Sequence, residues 1–427
     1  MSIPLQARFV DLVNLIIAKG SNFALTMLLF AIVARGMDTH AFGEFGYWWS
    51  MALMMGGGLL GGLASAMVRG VAMHGSLHYL LAPMRHAAFA LLALAAVFVT
   101  LMMAFPDQIS LVMLLGVLVL FGIAVQTQTV VLTLLRALEA TRANALASAG
   151  IVVVVPLVLM ALLGDKRAMI SLFSALAVAF VIGTVVALVI GRGQLGHLFI
   201  HDGRTRPGLA GFFTNASAFT AVNVFTYVIV NLDFTLFRQI GSPDDFAVIA
   251  TAKVFFERFV LPALLVFGGA VSMRVLRHPH AGGGSVARLQ LRTSPAFFGG
   301  MLVAIMLLAA LYEGFAKLIR GDTQTIGLVW AACTAAGYLV FTINSILFDV
   351  LVVQRNLKVV IVRVTSFLVL GGAVQVLAIS RFGVPGWAFG WLFFNLMVLF
   401  VLARDGLDTG PQLQGERPCR AQSKEML

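Results

Sequence analysis

The stretch from Leu146 to Ile190 reads LASAGIVVVVPLVLMALLGDKRAMISLFSALAVAFVIGTVVALVI, two apolar runs with a short polar break between them. Crossing a hydrocarbon core of roughly 30 Å takes about 20 helical residues at 1.5 Å each, and both runs are of that order. Two such runs back to back predict a helical hairpin through a bilayer. The chain as a whole has the same character. Its apolar share is 60% and its charged share 11%, against roughly 45–50% and 25% in soluble proteins. A soluble fold leaves too much surface wet to hide that apolar excess. Lipid is the solvent that fits.

Extending the reading outward gives a series of spans at Leu12–Val33, Gly43–Val68, Ala87–Phe105, Leu111–Leu135, Leu146–Leu163 and Met169–Ile190. It continues at Leu209–Phe234, Phe246–Ser272, Ala296–Phe315, Ile326–Val352, Val359–Ile379 and Gly386–Leu402. The first run has no small-residue cleavage site after it and reads as a retained span. The expected fold class is an all-α polytopic membrane protein, with about 12 transmembrane helices in two six-helix lobes around a central cavity. With the N-terminus inside, the cytoplasmic segments collect 18 Lys and Arg and the opposite loops 7. The positive-inside rule then puts both termini in the cytoplasm. The net charge of +11 has this topological explanation, so no nucleic-acid partner is expected.

An internal repeat supports two halves. Arg35-Gly36-Met37-Asp38-Thr39 after span one has a counterpart in Arg238-Gln239-Ile240-Gly241-Ser242 after span seven. Arg69 and Arg274 close the next span in each half, and Arg142-Ala143-Asn144 is echoed by Arg355-Asn356-Leu357. The halves are expected at 1–192 and 209–403, joined by a cytoplasmic linker at 193–208 and followed by a cytoplasmic tail at 404–427. None of the polar segments could hold a soluble catalytic domain. No catalytic set, metal pattern or cofactor motif emerges, and Gly282–Gly284 reads as a loop. Cys333 and Cys419 lack metal or redox spacing, and His278-Pro279-His280 is a weak metal signal. The protein is not expected to be an enzyme.

Polar groups inside the spans are therefore the functional candidates, because a charge at mid-membrane costs on the order of 3 kcal/mol. Arg363 lies near the cytoplasmic end of its span and can snorkel. Lys19 lies about 10 Å into span one. Arg258 lies about 18–21 Å from either end of span eight. Glu257 adjoins it, and Lys253 lies four residues before Glu257, the spacing of a helical ion pair. Pro262 lacks the N–H that the carbonyl of Arg258 would accept, so the helix is expected to open at the charged turn. Asp233, at the outer end of span seven, could bind a coupling cation or pair with Arg238 or Arg35. Glu257 is the other coupling-ion candidate. Stripes of polar side chains on span four (Gln126, Thr129, Thr133), span seven (Ser217, Thr220, Asn223, Tyr227, Asn231) and span ten (Thr334, Tyr338, Thr342, Ser345, Asp349) suit a hydrated cavity. The alternative for the stripes is hydrogen bonding between helices. Gly56-Gly57-Gly58 and Gly61-Gly62 have the small-residue spacing that lets helices approach closely.

Ala34-Arg35-Gly36-Met37, Ala41-Phe42-Gly43-Glu44-Phe45-Gly46-Tyr47, Arg69 and Phe382-Gly383-Val384-Pro385-Gly386-Trp387-Ala388 resemble the polysaccharide (O-antigen type) flippases of the multidrug/oligosaccharidyl-lipid/polysaccharide (MOP) exporter superfamily. The resemblance implies flipping or export of a polyprenyl-diphosphate-linked oligosaccharide by alternating access in a bacterial inner membrane. Glycan polymerase and other envelope-synthesis proteins would be its partners. Lys19 and Arg258 stand where such relatives often place cationic cavity residues. With Lys253, Asn223, Tyr227 and Tyr338 they form the expected substrate-binding set. A fixed cation in a low-dielectric cleft attracts a diphosphate. The alternatives are a cation-coupled drug or metabolite antiporter of the same superfamily, which would favour deep carboxylates, and a membrane-embedded glycan synthase or scaffold subunit.

Overall fold

The computed structural model describes residues 5–34, 37–74, 109–138, 140–163, 168–198, 217, 220, 224, 231, 233–239, 243–261, 264, 295–320, 325–354 and 357–407. Among them the regular structure is helical throughout. The helices are α1 (Leu5–Ala34), α2 (Thr39–His74), α3 (Ile109–Ala137), α4 (Thr141–Leu163), α5 (Met169–His197), α6 (Pro243–Lys253), α7 (Pro295–Arg320), α8 (Leu328–Gln354) and α9 (Leu357–Leu407). A further helical run occupies 233–239, and α6 continues directly into a π-helix at Val254–Val260. The expected spans fall within these helices where they are described. The span expected at Ala87–Phe105 lies outside the described residues, as do most of 209–230, residues 265–294 and residues 408–427.

Long stretches of large apolar side chain face outward. Val153, Val189, Leu302, Val303, Val369 and Phe400 are each about 60–70% exposed, which water would penalise and acyl chains would not. Five of the described stretches are long and apolar enough to cross a bilayer: Leu111–Arg136, Thr141–Leu163, Met169–His197, Gly300–Lys317 and Val369–Leu402.

Packing divides the chain into two compact units. One is Met1–Phe259 with Phe315–Thr325, the other Val260–Gly314 with Ile326–Leu427. In the first, α2 packs on α3 and α6, α3 and α4 on α5, and α1 on α4. Its centre is aromatic. Phe30 of α1 meets Phe45 at 5.4 Å and Trp49 at 5.2 Å, both on α2, and Trp49 meets Phe121 of α3 at 4.8 Å. Phe173 and Phe180 of α5 close the cluster on Phe121. Edge-to-face pairs of this kind add about 0.5–1.5 kcal/mol each beyond burial. The close approach expected at the α2 glycines occurs at Gly56, where an added Cβ would sit 2.2 Å from the backbone of Gly122 on α3.

In the second unit α8 packs on α9. Trp391 lies over Gly337 and meets Tyr338 at 5.2 Å, while Asn344 donates through Nδ2 to the carbonyl of Asn395 at 2.9 Å. The two spans expected at Val359–Ile379 and Gly386–Leu402 are two helices joined by a tight turn, and the chain doubles back so that a Cβ added at Gly371 would meet the Phe394 ring at 1.8 Å. A single residue, Gly383, breaks the helix with φ 59° and ψ −131°, a conformation that side chains with a Cβ rarely adopt. The turn read at Phe382–Ala388 is thus found, and it is built on Gly383.

Candidate functional site

Lys253 ends α6, about 15 Å along the helix from Pro243 at helical rise. It is only 1% exposed. Burying an ammonium there is tolerable only with close counter-charges, and two are present. Its Nζ donates to Oδ1 of Asp233 and lies 3.2 Å from Oε1 of Glu257. Asp233 is 2% and Glu257 6% exposed. The Asp233 carboxylate also accepts the backbone N–H of Phe234 at 2.7 Å. The ammonium sits 4.6 Å from the centroid of the Phe234 ring, a cation–π contact that gains strength when desolvated.

Local structure explains the pairing. The four-residue spacing of Lys253 and Glu257 predicts that the two meet, and they do. The disruption expected at Arg258 takes a different form: the helix is widened rather than opened. The π-turn at Val254–Val260 holds more residues per turn than an α-turn, so Glu257 stands almost one full turn above Lys253. Asp233 arrives from the helical run at 233–239, twenty residues back in the chain, and no sequence periodicity points to it. Among the described residues its ion-pair partner is Lys253, while Arg35, one of the partners considered from sequence, lies outside them. Arg238 instead reaches Glu44 on α2, with Nε donating to Oε1 at 3.0 Å and Nη2 3.0 Å from Oε2. The floor of the site is Gly46 of α2, whose missing Cβ would lie 3.6 Å from Val254 and 4.0 Å from Phe234.

The remaining sequence candidates are spread out. Lys19 lies on α1 and Arg258 on the π-turn by their backbones, and their side chains lie outside the described residues. Asn223 and Tyr227 also lie outside them. Tyr338 is buried on α8 against Trp391, in the other packing unit. The polar stripes have a local explanation at several positions. The hydroxyls of Thr129, Thr133, Thr334 and Thr342 each donate to the carbonyl four residues earlier, at 2.7–2.9 Å. A hydroxyl satisfied by its own helix needs no cavity water. Among the described residues no group of three or more His, Cys, Asp or Glu side chains could hold a metal ion.

The pairings that sequence reasoning misses are therefore Glu44 with Arg238 and Asp233 with Lys253.

Solved structures match this helix arrangement over almost the whole chain. An Asp-to-Asn mutant of the Vibrio cholerae MATE transporter VcmN aligns with a TM-score of 0.63 and 12% identity, covering 94% of this chain and 97% of that one. The outward-facing conformation of a multidrug resistance MATE family transporter of the MOP superfamily aligns at 0.56 and 13%, covering 93% and 94%. An inward-facing conformation aligns at 0.53 and 12%, covering 92% and 97%. The fold is that of the MATE transporters. That makes the chain an all-α polytopic membrane protein, and the matched fold has 12 transmembrane helices in two lobes. No family model matches the sequence, and no curated protein matches it significantly.

Proposed function

We propose that the protein is a cation-coupled antiporter that exports an organic cation or a related small metabolite, with Asp233, Lys253 and Glu257 as its coupling site. The observation that carries this reading is the convergence of two buried carboxylates on one buried ammonium. Each carboxylate can exchange the lysine for an incoming proton or sodium ion while the other still holds Lys253. The site thus has two arrangements that differ by one bound cation, which is what coupling to a gradient needs. The MATE fold supports the reading, since neighbours with that fold are described as multidrug transporters. The deep-charge balance supports it as well. On sequence alone Lys253 meets mainly Glu257 and the deep bases are in excess, which favours an anionic cargo. Asp233 in the same cluster reduces that excess.

A second reading is kept for a specific observation. Arg258 lies on the π-turn directly after Glu257, and with Lys19 it is the cationic residue suited to a polyprenyl-diphosphate-linked oligosaccharide, as the flippase resemblance implies. Glycan polymerase and other envelope-synthesis proteins would be partners only under this second reading.

Reconstituted vesicles separate the two. The antiporter reading expects an imposed pH or sodium gradient to drive accumulation of tetraphenylphosphonium, with lipid-linked sugar staying inaccessible to an outside probe. Exposure of the sugar without cation accumulation would replace it with the flippase reading.

A further inference from the structure

Arg238 does more than pair with Glu44. Its guanidinium carbon lies 4.5 Å from the centroid of the Tyr47 ring and 4.8 Å from that of Trp48. The Tyr47 and Trp48 rings are 4.9 Å apart at 74° to each other. One carboxylate and two aromatic rings, all from the first turns of α2, thus enclose a planar organic cation. That arrangement has the chemistry that recognises guanidinium and quaternary ammonium groups: ring quadrupoles for diffuse charge and a carboxylate for the net charge. Arg238 keeps 35% and Glu44 20% of their side-chain surface exposed, so the box can be reached from outside it, unlike the sealed Lys253 cluster.

We infer that the Glu44–Tyr47–Trp48 box is a binding site for a small guanidinium or quaternary ammonium cation, and that Arg238 occupies it as a tethered competitor. An arriving cation takes the place of the Arg238 guanidinium. The consequence reaches the buried cluster along two short routes. Arg238 and Asp233 belong to the same helical run, about 7.5 Å apart at helical rise. Tyr47 also meets Phe234 at 6.4 Å, the ring against which Lys253 rests. This site deepens the antiporter reading and rests on it for its cargo class, yet its occupancy is measurable without transport.

The test is calorimetric titration of tetramethylammonium into the purified full-length protein in detergent, at constant ionic strength. Arg238→Ala, which empties the box, should bind it about tenfold more tightly than the unsubstituted protein, the scale of a competing cation–π and carboxylate contact. Arg238→Gln is the second variant if the first does not stay monodisperse, and it should shift affinity in the same direction. Adding Glu44→Gln to either should erase the gain. Equal affinity in the Arg238 variants and the unsubstituted protein, or a gain that survives Glu44→Gln, would overturn the site. No gradient is present, so failure here leaves the coupling site standing, and failure of gradient-driven uptake leaves the box standing.

Discussion

Lys253 has no route to bulk water, so its neighbours decide whether it can stay charged. Removing it takes the balancing ammonium away from two buried carboxylates. Lys253→Met should therefore destabilise the protein by about 3–5 kcal/mol, the range for breaking a buried ion pair from one side. Thermal unfolding in detergent measures this. The triple variant Lys253→Met, Asp233→Asn, Glu257→Gln should recover at least half of the loss, because neutral isosteres remove the stranded charge. A triple variant no more stable than Lys253→Met would mean that the lysine packs rather than neutralises. The half of this cluster that sequence spacing can express is legible: Lys253 and Glu257 are helical neighbours. Asp233 is visible as an acid at the outer end of span seven but not as the partner of Lys253, since the contact crosses from one helix to the next. The same applies to Arg238 and Glu44, 194 residues apart.

At the scale of elements, the π-turn and the glycine crossing are the features most open to a test. Seven residues in π form, Val254–Val260, hold Glu257 over Lys253, and such turns recur where function needs an altered register. Deleting Phe256 should return the segment to α form and bring Glu257 from four residues after Lys253 to three, shifting its carboxylate relative to the ammonium. The expected outcome is a protein that inserts at normal levels but loses gradient-driven uptake in vesicles; full uptake would show the π form to be incidental. Gly56→Val should behave differently. Its side chain would collide with the Gly122 backbone, where an added Cβ comes within 2.2 Å, and overpacking of this kind costs about 1–3 kcal/mol. Gly20→Ala, with nothing within 4 Å, should be neutral or stabilising by up to about 1 kcal/mol. Thermal unfolding of both variants checks the contrast. The glycine run announces a close helix contact but not which helix supplies it. Pro262 announces a disturbed turn at the right place, though widening and opening look alike in sequence. The hydroxyl stripes do not decide between cavity and helix contact, because a threonine that bonds its own helix has the same periodicity as one that lines a cavity.

Across the whole molecule, hydropathy is the dependable signal. Every described helix of membrane length coincides with an apolar window, because lipid leaves the backbone no other way to satisfy its polar groups. The turn between the last two spans sits at Gly383, where Phe382 and Val384–Pro385 are themselves apolar, so the glycine and proline mark it rather than a polar loop. The lobes at 1–192 and 209–403 come from the repeat, and we retain them as a proposal, as we do cytoplasmic termini. Reporter fusions test the latter. A cytoplasm-active reporter should work at both Met1 and Leu427, and activity at one end alone would refute the 18-to-7 charge reading. Cargo charge is the least legible property, since it depends on which carboxylates meet Lys253 in space.

The coupling role of the Asp233–Lys253–Glu257 cluster is tested most directly by Asp233→Asn in vesicles loaded with tetraphenylphosphonium. Initial rates would be read with and without an imposed pH or sodium gradient. The predicted result is loss of at least about tenfold in the gradient-driven component, equivalent to about 1.4 kcal/mol, with downhill exchange of the cation retained. Gradient-driven accumulation equal to that of the unsubstituted protein would contradict it.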